Sequence, residues 1–282
     1  MAPMITGPLL EEAVALSDAA QGDDTERAEA RGWRPLTDAD LGPVATFHDG
    51  VGESTVGTED GERFTTVAHA YLGEVGGETV VALAFCGVDQ GGRELAFALD
   101  HLDDYHDEHE GLVDAVARFA ADGLRDGSVD QLLVTGHSLG AILTETTAAL
   151  GLEDPLVREN TTAVTFGSPG ATEEVSEDVE LVNLVHTDDP VANIGELREE
   201  LPDRLLDFLP GDGEDALNSL GREGRDILVE RPEGRPVERG DIDELAELLF
   251  DSGDWENEEF LVEHDLDLYA QTVAELREDA IA

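Results

Sequence analysis

The sequence predicts an α/β protein in which helices cover both faces of a mostly parallel central sheet. Short apolar runs recur along the chain, as in Val-Val-Ala-Leu-Ala-Phe over residues 80–85, and such runs are typical of parallel strands buried on both faces. Between them lie segments with the apolar spacing of helices. The predicted strands cover residues 65–72, 78–85, 131–135, 162–166 and 181–185, and the predicted helices cover residues 111–126, 139–150 and 266–281.

Two segments fall outside this alternation. Residues 1–60 are predicted to form an N-terminal extension, with a helix near residues 9–16, packed on or beside a main domain of residues 61–282. Residues 195–255 are predicted to be an insertion before the last helix. Their mixed charges fit a salt-bridged surface loop, whereas the apolar residues near 245–250 fit the underside of a lid over a site, and both interpretations stay open.

The charge of the chain excludes several classes of function. Asp and Glu number 67 against 16 basic residues, and the formal net charge is -51. Nucleic acids and anionic membrane surfaces would repel such a chain, so neither is an expected partner. A surface this acidic repels itself strongly at low ionic strength, and molar salt screens charges within roughly 3 Å. We therefore expect the protein to need high salt to stay folded.

Cysteine content and the N-terminal sequence bear on cellular location. Cys86 is the single cysteine, so an intrachain disulfide is impossible. Residues 1–20 lack the pattern of a secretory signal, and no apolar stretch approaches the roughly 20 residues that span a bilayer. We therefore expect a soluble, cytoplasmic protein without stable membrane insertion. Secretion of a processed precursor and the oligomeric state stay open.

The clearest chemical motif lies at residues 134–140, which read Val-Thr-Gly-His-Ser-Leu-Gly. This is G-x-S-x-G between a predicted strand and a predicted helix, the context in which the motif forms a nucleophile elbow. Ser138 would lie on the tight turn, and the N-terminal N–H groups of the helix would face developing negative charge. The alternative is a glycine-rich turn that happens to contain a serine.

A serine hydroxyl needs a base to become a good nucleophile, and in this arrangement the partners follow in the order Ser, acid, His. Asp188 and Asp189 both lie just past the predicted strand at 181–185, so either could be the acid. After Asp189 the chain contains one histidine, His264, which makes it the candidate base almost by elimination. The alternative for His264 is a surface histidine at the start of a helix.

Further segments extend this pattern to a known family. They are the serine turn at 135–140, the strand end at 80–87, His-Glu-Gly-Leu at 109–112, Thr-Phe-Gly-Ser-Pro at 165–169, His-Thr-Asp-Asp-Pro-Val at 186–191, and the His and Tyr at 264 and 269. Together they resemble the class 3 lipases, which have the α/β-hydrolase fold, and the acidic composition resembles a haloarchaeal-type member. The resemblance implies a triad of Ser138, Asp189 and His264, with the acid at Asp189 rather than Asp188.

The resemblance also implies an oxyanion hole formed by the backbone N–H groups of Val88 and Leu139, and no metal or organic cofactor. Val88 stands where the family has Ser or Thr, so a hydroxyl that orients the oxyanion turn is missing. The implied activity is cleavage of small-molecule or lipid carboxylic esters, as in a lipase or carboxylesterase, through an acyl-enzyme on Ser138. The alternative, favoured by Val88, is a catalytically weak or inactive domain that binds a ligand or partner. Thioester or amide cleavage also stays open.

Other reactive side chains receive structural interpretations. Residues 101–110 are rich in His, Asp and Glu but lack the spacing of a zinc site, so we interpret them as a loop leading to a helix at Gly111. Cys86 is expected to be buried at a strand end. Ser168 is expected to be structural, and His186 to support the site without a catalytic role.

Overall fold

The computed structural model describes residues 5–22, 24–44, 47–48, 50–57, 63–87, 102–170, 175–189, 191–193, 224–229 and 264–276. Its helices are α1 (Gly7–Gln21), α2 (Thr25–Ala30), α3 (Asp38–Leu41), α4 (Leu102–Asp126), α5 (Leu139–Thr146), α6 (Pro155–Arg158) and α7 (Leu266–Glu275). Its strands are β1 (Arg34–Pro35), β2 (Phe47–His48), β3 (Val51–Gly57), β4 (Arg63–Val75), β5 (Glu78–Phe85), β6 (Gln131–His137), β7 (Thr161–Phe166), β8 (Glu180–His186) and β9 (Arg225–Val229). Helix α5 continues into a short π-helix, Thr147–Gly151.

All nine of these strands form one sheet in the order β2-β3-β4-β5-β6-β7-β8-β9, with β1 paired to β4. The strands from β2 to β5 are antiparallel neighbours. From β5 to β9 every neighbouring pair is parallel, so the carboxyl ends of these strands meet at one edge of the sheet. Helices cover both faces, and the predicted α/β-hydrolase fold is confirmed.

Two apolar cores cover the sheet, one on each face. Alternate side chains of β5 enter opposite cores, because successive residues of a strand point to opposite faces. Val81, Leu83 and Phe85 pack in the core under α4 and α5, whereas Val80, Ala82 and Ala84 pack in the core under α1 and α7. Burial on both faces is the reason that this strand reads as an unbroken apolar run.

The N-terminal segment is part of this architecture. Thr6 caps α1, where its Oγ1 accepts a hydrogen bond from the Leu9 backbone N–H at 3.3 Å. Helix α1 packs against β6, and the hydroxyls of Ser17 and Thr135 hydrogen-bond at 3.0 Å across that contact. Strands β1 to β3 also come from this segment. The predicted extension therefore contributes α1 to a face and β1, β2 and β3 to the sheet itself.

Helix α4 begins earlier than the sequence predicts. The interpretation of residues 101–110 as a loop ending at Gly111 was wrong, because the helix starts at Leu102. Tyr105, His109 and Leu112 are buried and recur at helical spacing, so an inward face runs through the acidic segment. His109 Nε2 hydrogen-bonds to Thr66 Oγ1 on β4 at 2.9 Å. Two of these three residues are a tyrosine and a histidine, so a pattern of aliphatic residues at helical spacing does not predict this part of the helix.

The predicted insertion at 195–255 lies mostly outside the described residues. The residues near 245–250 that would form the underside of a lid are among those outside. The described part of the insertion is residues 224–229, of which Arg225–Val229 form β9, parallel to β8. No apolar pattern in the sequence predicts this strand. Within the described part of the chain, no helix combines the length and the apolarity that crossing a bilayer requires.

Candidate active site

The turn between β6 and α5 holds Ser138 in a strained backbone conformation. Its φ is 57° and its ψ is -122°, and among the described residues it is the one non-glycine residue with positive φ. Such a conformation costs of order 1–3 kcal/mol and persists only where the surroundings enforce it. Here the backbone N–H of Ser138 donates to Phe166 O on β7 at 3.1 Å. The predicted elbow therefore has the strand–turn–helix geometry that places a nucleophile at the carboxyl edge of a parallel sheet.

Glycines on both sides of Ser138 permit this turn. A Cβ on Gly136 would clash with the backbone of Gly140, and a Cβ on Gly140 would clash with the carbonyl oxygen of Phe85, both well inside the 3.0 Å that real Cβ atoms keep. The opposing atoms are backbone, so they cannot move aside as a side chain could. Both glycines of the G-x-S-x-G motif are thus required by close backbone approach.

Asp189 lies in a turn after β8 and is fully buried. Its Oδ1 accepts hydrogen bonds from the backbone N–H groups of Val191 and Ala192 at 2.9 and 3.0 Å. Its Oδ2 accepts from the hydroxyl of Tyr269 at 2.6 Å. Burial alone would raise the pKa of Asp189, but attraction to His264 and the hydrogen bonds from His264, Tyr269 and Ala192 outweigh it and lower the pKa below its ordinary value.

His264 lies just before α7 and faces Asp189. Its Nδ1 is 2.9 Å from Asp189 Oδ2 and 3.1 Å from Oδ1. Because a carboxylate only accepts, Nδ1 carries the proton, and the lone pair of a neutral ring is then on Nε2. A lone pair on Nε2 is what a general base requires.

Gly167, directly after β7, lies where the Asp189–His264 pair meets the turn that holds Ser138. Its φ is +60°, and a Cβ there would lie 3.0 Å from both Asp189 Oδ2 and His264 Nδ1. It directly follows Phe166, the residue whose carbonyl oxygen holds the Ser138 backbone. The structure therefore places the buried Asp189–His264 pair beside the serine elbow.

Ser138 Oγ and His264 Nε2 are both buried, and within the described part of the chain neither atom has a hydrogen-bond partner. The hydroxyl and the imidazole are consequently not hydrogen-bonded to each other in this structure. Catalytic hydrogen bonds of this kind are often long without substrate and tighten when substrate binds.

Tyr269 on α7 donates to the acid, and His186 at the end of β8 packs against Tyr269. The rings of His186 and Tyr269 stack with centroids 4.0 Å apart and an interplanar angle of 2°. The His186 backbone N–H lies 3.3 Å from the Tyr269 hydroxyl, and His186 Nε2 is 2.8 Å from Thr272 Oγ1. These contacts join the end of β8 to α7, which agrees with a supporting position for His186.

The remaining predicted residues divide by location. Asp188, the other candidate acid, makes no hydrogen bond to His264 that the structure describes. Leu139 is the first residue of α5, so its backbone N–H belongs to the first turn, whose N–H groups lack helical partners. Val88 lies outside the described residues. It follows Gly87, where a Cβ would lie 2.9 Å from His137 O and 3.4 Å from Ser138 Cβ. The chain leaving β5 therefore passes directly beside the elbow.

Other reactive side chains have structural partners. Cys86 is buried and its thiol donates to Gly87 O at 2.9 Å. Ser168 donates to the buried carboxylate of Glu145 at 2.5 Å, which joins the end of β7 to α5. Among the described residues, no group of three or more His, Cys, Asp or Glu side chains is arranged to hold a metal ion.

Two neighbours of the site, His137 and Gln21, are not among the residues predicted from the sequence. His137 Nε2 lies 2.7 Å from His264 O, and the two imidazole rings are 4.6 Å apart. Gln21, the last residue of α1, has its Oε1 3.4 Å from His137 Nδ1. His137 is part of the serine motif and could have been singled out, whereas nothing in the sequence near Gln21 signals a role.

Comparison with known proteins agrees with the motif at the centre of this site. Residues 110–198 match the class 3 lipase family. The matched segment runs from α4 past β8 and includes Ser138 and Asp189, but not His264. The predicted resemblance to this family is confirmed over that part of the chain. No curated protein gives a significant match to the sequence.

Several solved structures are similar at low identity. Rhizomucor miehei lipase in its propeptide complex is 17% identical, with 67% of this chain and 63% of that chain covered and a TM-score of 0.43. A triacylglycerol lipase from Penicillium expansum is 13% identical over 84% of each chain, with a TM-score of 0.41. The Lip2 lipase from Yarrowia lipolytica is 16% identical, with 66% and 72% covered and a TM-score of 0.30. The present chain therefore spans less than two thirds of the Rhizomucor miehei lipase.

Proposed function

We propose that this protein is a serine hydrolase that cleaves carboxylic esters, as lipases and carboxylesterases do, through a triad of Ser138, Asp189 and His264. The observation that supports it most is the buried Asp189–His264 pair beside a serine in a strained strand-to-helix turn. The match of residues 110–198 to the class 3 lipases supports the same chemistry.

In the first step, Ser138 Oγ attacks the ester carbonyl while His264 Nε2 takes its proton. Asp189 holds the imidazole with the proton on Nδ1 and stabilises the imidazolium that forms. The backbone N–H groups of Leu139 and Val88 would bind the oxyanion, and losing one such donor typically costs about 3 kcal/mol in the barrier.

The tetrahedral intermediate then collapses. The imidazolium of His264 gives its proton to the leaving alcohol, and the acyl group remains on Ser138. Water, deprotonated by His264, then attacks the carbonyl carbon of this acyl-enzyme. The bond from that carbon to Ser138 Oγ breaks, His264 returns the proton to Oγ, and the carboxylic acid is released. The cycle needs only these residues, the ester and water.

The test is turnover of a panel of p-nitrophenyl and acylglycerol esters at molar KCl. Ser138→Ala should lower kcat by about 10³-fold or more, because the nucleophile is lost. Ser168→Ala is the matched control, since Ser168 is a second buried serine at the end of a parallel strand. It should keep activity within a few-fold. Equal activity of Ser138→Ala and wild type would refute the proposal.

A ligand- or partner-binding module is the second candidate. It is favoured by the missing hydrogen bond between Ser138 Oγ and His264 Nε2 among the described residues, and by Val88 at the oxyanion turn. Such a module would be stabilised by an ester ligand, with a higher melting temperature, and would not turn the ester over.

The charge also supports a proposal about conditions. With a net charge of -51, the folded chain repels itself strongly at low ionic strength, and salt relieves that repulsion. We infer an acidic, halophilic member of the family that folds and works at high salt, as haloarchaeal-type proteins do.

A further inference from the structure

We propose that His137, the residue before Ser138, is a positioning residue that fixes the backbone of His264, and that Gln21 of α1 supports it. This inference rests on the proposed function, because it concerns how the base of that reaction is held. It assigns a role to a helix that lies outside the segment matching the lipase family.

The contact between His137 and His264 has a defined direction. His137 Nε2 lies 2.7 Å from the carbonyl oxygen of His264, and a carbonyl oxygen only accepts, so Nε2–H donates. The two rings are tilted by 34° with centroids 4.6 Å apart. The nucleophile's immediate neighbour in the chain therefore binds the main chain of the base.

This bond gives His264 a second point of attachment. Its side chain is held at Nδ1 by Asp189 at the end of β8, and its carbonyl is held by His137 at the end of β6. One anchor alone would leave the imidazole free to pivot about the Nδ1 bond, which would displace Nε2. Displacements of about 1 Å in a reacting group can cost on the order of 10²-fold in rate.

The charge state of His137 suits this role. Burial, and repulsion from His264, lower the pKa of His137 to about 3, against the weaker pull of Asp189 and of the hydrogen bond to His264. The ring is therefore neutral at ordinary pH. A permanent cation at this position would oppose the protonation of His264 when it takes the serine proton.

Gln21 lies on the other side of the His137 ring. Its Oε1 is 3.4 Å from His137 Nδ1, and a Cβ on Gly87 would come within 2.9 Å of the same oxygen. Because Nε2 holds the ring proton, Nδ1 accepts, and a half-turn of the Gln21 amide presents its NH₂ group to it. The end of α1 thus packs against both His137 and the turn that leads to Val88.

The experiment compares two substitutions of similar length at position 137. Glutamine can place an amide N–H near the position of the imidazole Nε2–H, whereas methionine fills the space without a donor. His137→Met should lower kcat by about tenfold or more with KM changed less than about twofold. His137→Gln should recover kcat to within about threefold of wild type.

Ser17→Ala controls for a loss of stability alone. It removes a buried hydrogen bond between α1 and β6 but leaves the contacts of His137 with His264 and Gln21 in place, so it should lower the melting temperature and leave kcat unchanged. Equal kcat losses in His137→Met and His137→Gln, or no loss in His137→Met, would overturn the inference while the ester hydrolase remained.

Gln21→Met keeps the inference testable if His137→Met does not fold. Gln21 is half-buried at a helix end, and its loss should lower kcat by about two- to fivefold at constant KM. An unchanged kcat would refute the role of Gln21. If wild type shows no activity that depends on Ser138, the proposed function fails, and this inference fails with it.

Discussion

Replacing Asp189 by asparagine changes the proton on His264 without changing the shape of the site. Asp189 Oδ1 accepts from two backbone N–H groups, so in the variant this position must remain the amide oxygen. The NH₂ group then replaces Oδ2, which lies 2.9 Å from His264 Nδ1. An amide N–H facing Nδ1 forces Nδ1 to accept, and the ring proton moves to Nε2.

This tautomer cannot accept the proton of Ser138. The same change in a Ser-His-Asp triad lowers kcat by about 10⁴, and each tenfold step corresponds to about 1.4 kcal/mol. We therefore expect Asp189→Asn to raise the barrier by roughly 5 kcal/mol. The fold should survive, because both backbone hydrogen bonds to Oδ1 are kept. The Tyr269 hydroxyl, which donates to Oδ2 in the wild type, can turn to accept from the new NH₂ group.

The assay is kcat for a chromogenic ester at molar KCl, with circular dichroism to confirm folding. Asp188→Asn is the matched control, since it makes the same chemical change at the neighbouring carboxylate. Its kcat should stay within about threefold of wild type. The reasoning is refuted if Asp189→Asn keeps more than about a tenth of wild-type kcat, or if both variants lose activity equally.

Three further predictions concern stability. Gly140→Ala should destabilise the folded protein by about 1–3 kcal/mol, because its Cβ would clash with backbone atoms. Gly111→Ala should stabilise it by about 0.5–1 kcal/mol, because among the described residues its Cβ would contact only Val44, at 3.7 Å. Chemical denaturation measures both free energies of unfolding, and equal effects would contradict the steric argument. The pKa of His137 is 6.5 in the unfolded chain and about 3 in the folded protein, so between these pH values the unfolded chain binds one proton more. Wild type should therefore lose up to about 1.4 kcal/mol per pH unit over this window relative to His137→Gln, measured by urea unfolding at fixed KCl, and parallel pH profiles would contradict the buried neutral ring. Because of the net charge of -51, the melting temperature should rise between low and molar KCl, and a flat response would remove the case for a halophilic protein.

The central strands were predictable because burial on both faces leaves a direct mark on the sequence. The run at 78–85 became β5 with the same bounds, and the run at 131–135 became Gln131–His137. Strand β3 was missed because Val51–Gly57 mixes glycine, serine, threonine and glutamate without an apolar run. Strand β9, at the end of the described sheet, has only three apolar residues after Arg225 and Asp226, and the middle one, Leu228, is 60% exposed.

The candidate site was predictable to the extent that it is local. The serine elbow follows from five consecutive residues, and the glycine clashes explain their spacing. Chain order supplied His264, but it could not choose between Asp188 and Asp189, which differ in how the turn after β8 directs them. The contacts of Gly167, His137 and Gln21 join residues far apart in the chain, and tertiary packing alone brings them together.

Covalent labelling of Ser138 tests the central claim most directly. A fluorophosphonate reacts with a serine only where a base removes its proton and an oxyanion hole receives the charge. At molar KCl, wild type should gain one phosphonyl group, found by mass spectrometry on the peptide that contains Ser138, and His264→Ala should gain none. An unlabelled wild type, or equal labelling of His264→Ala, would contradict the account.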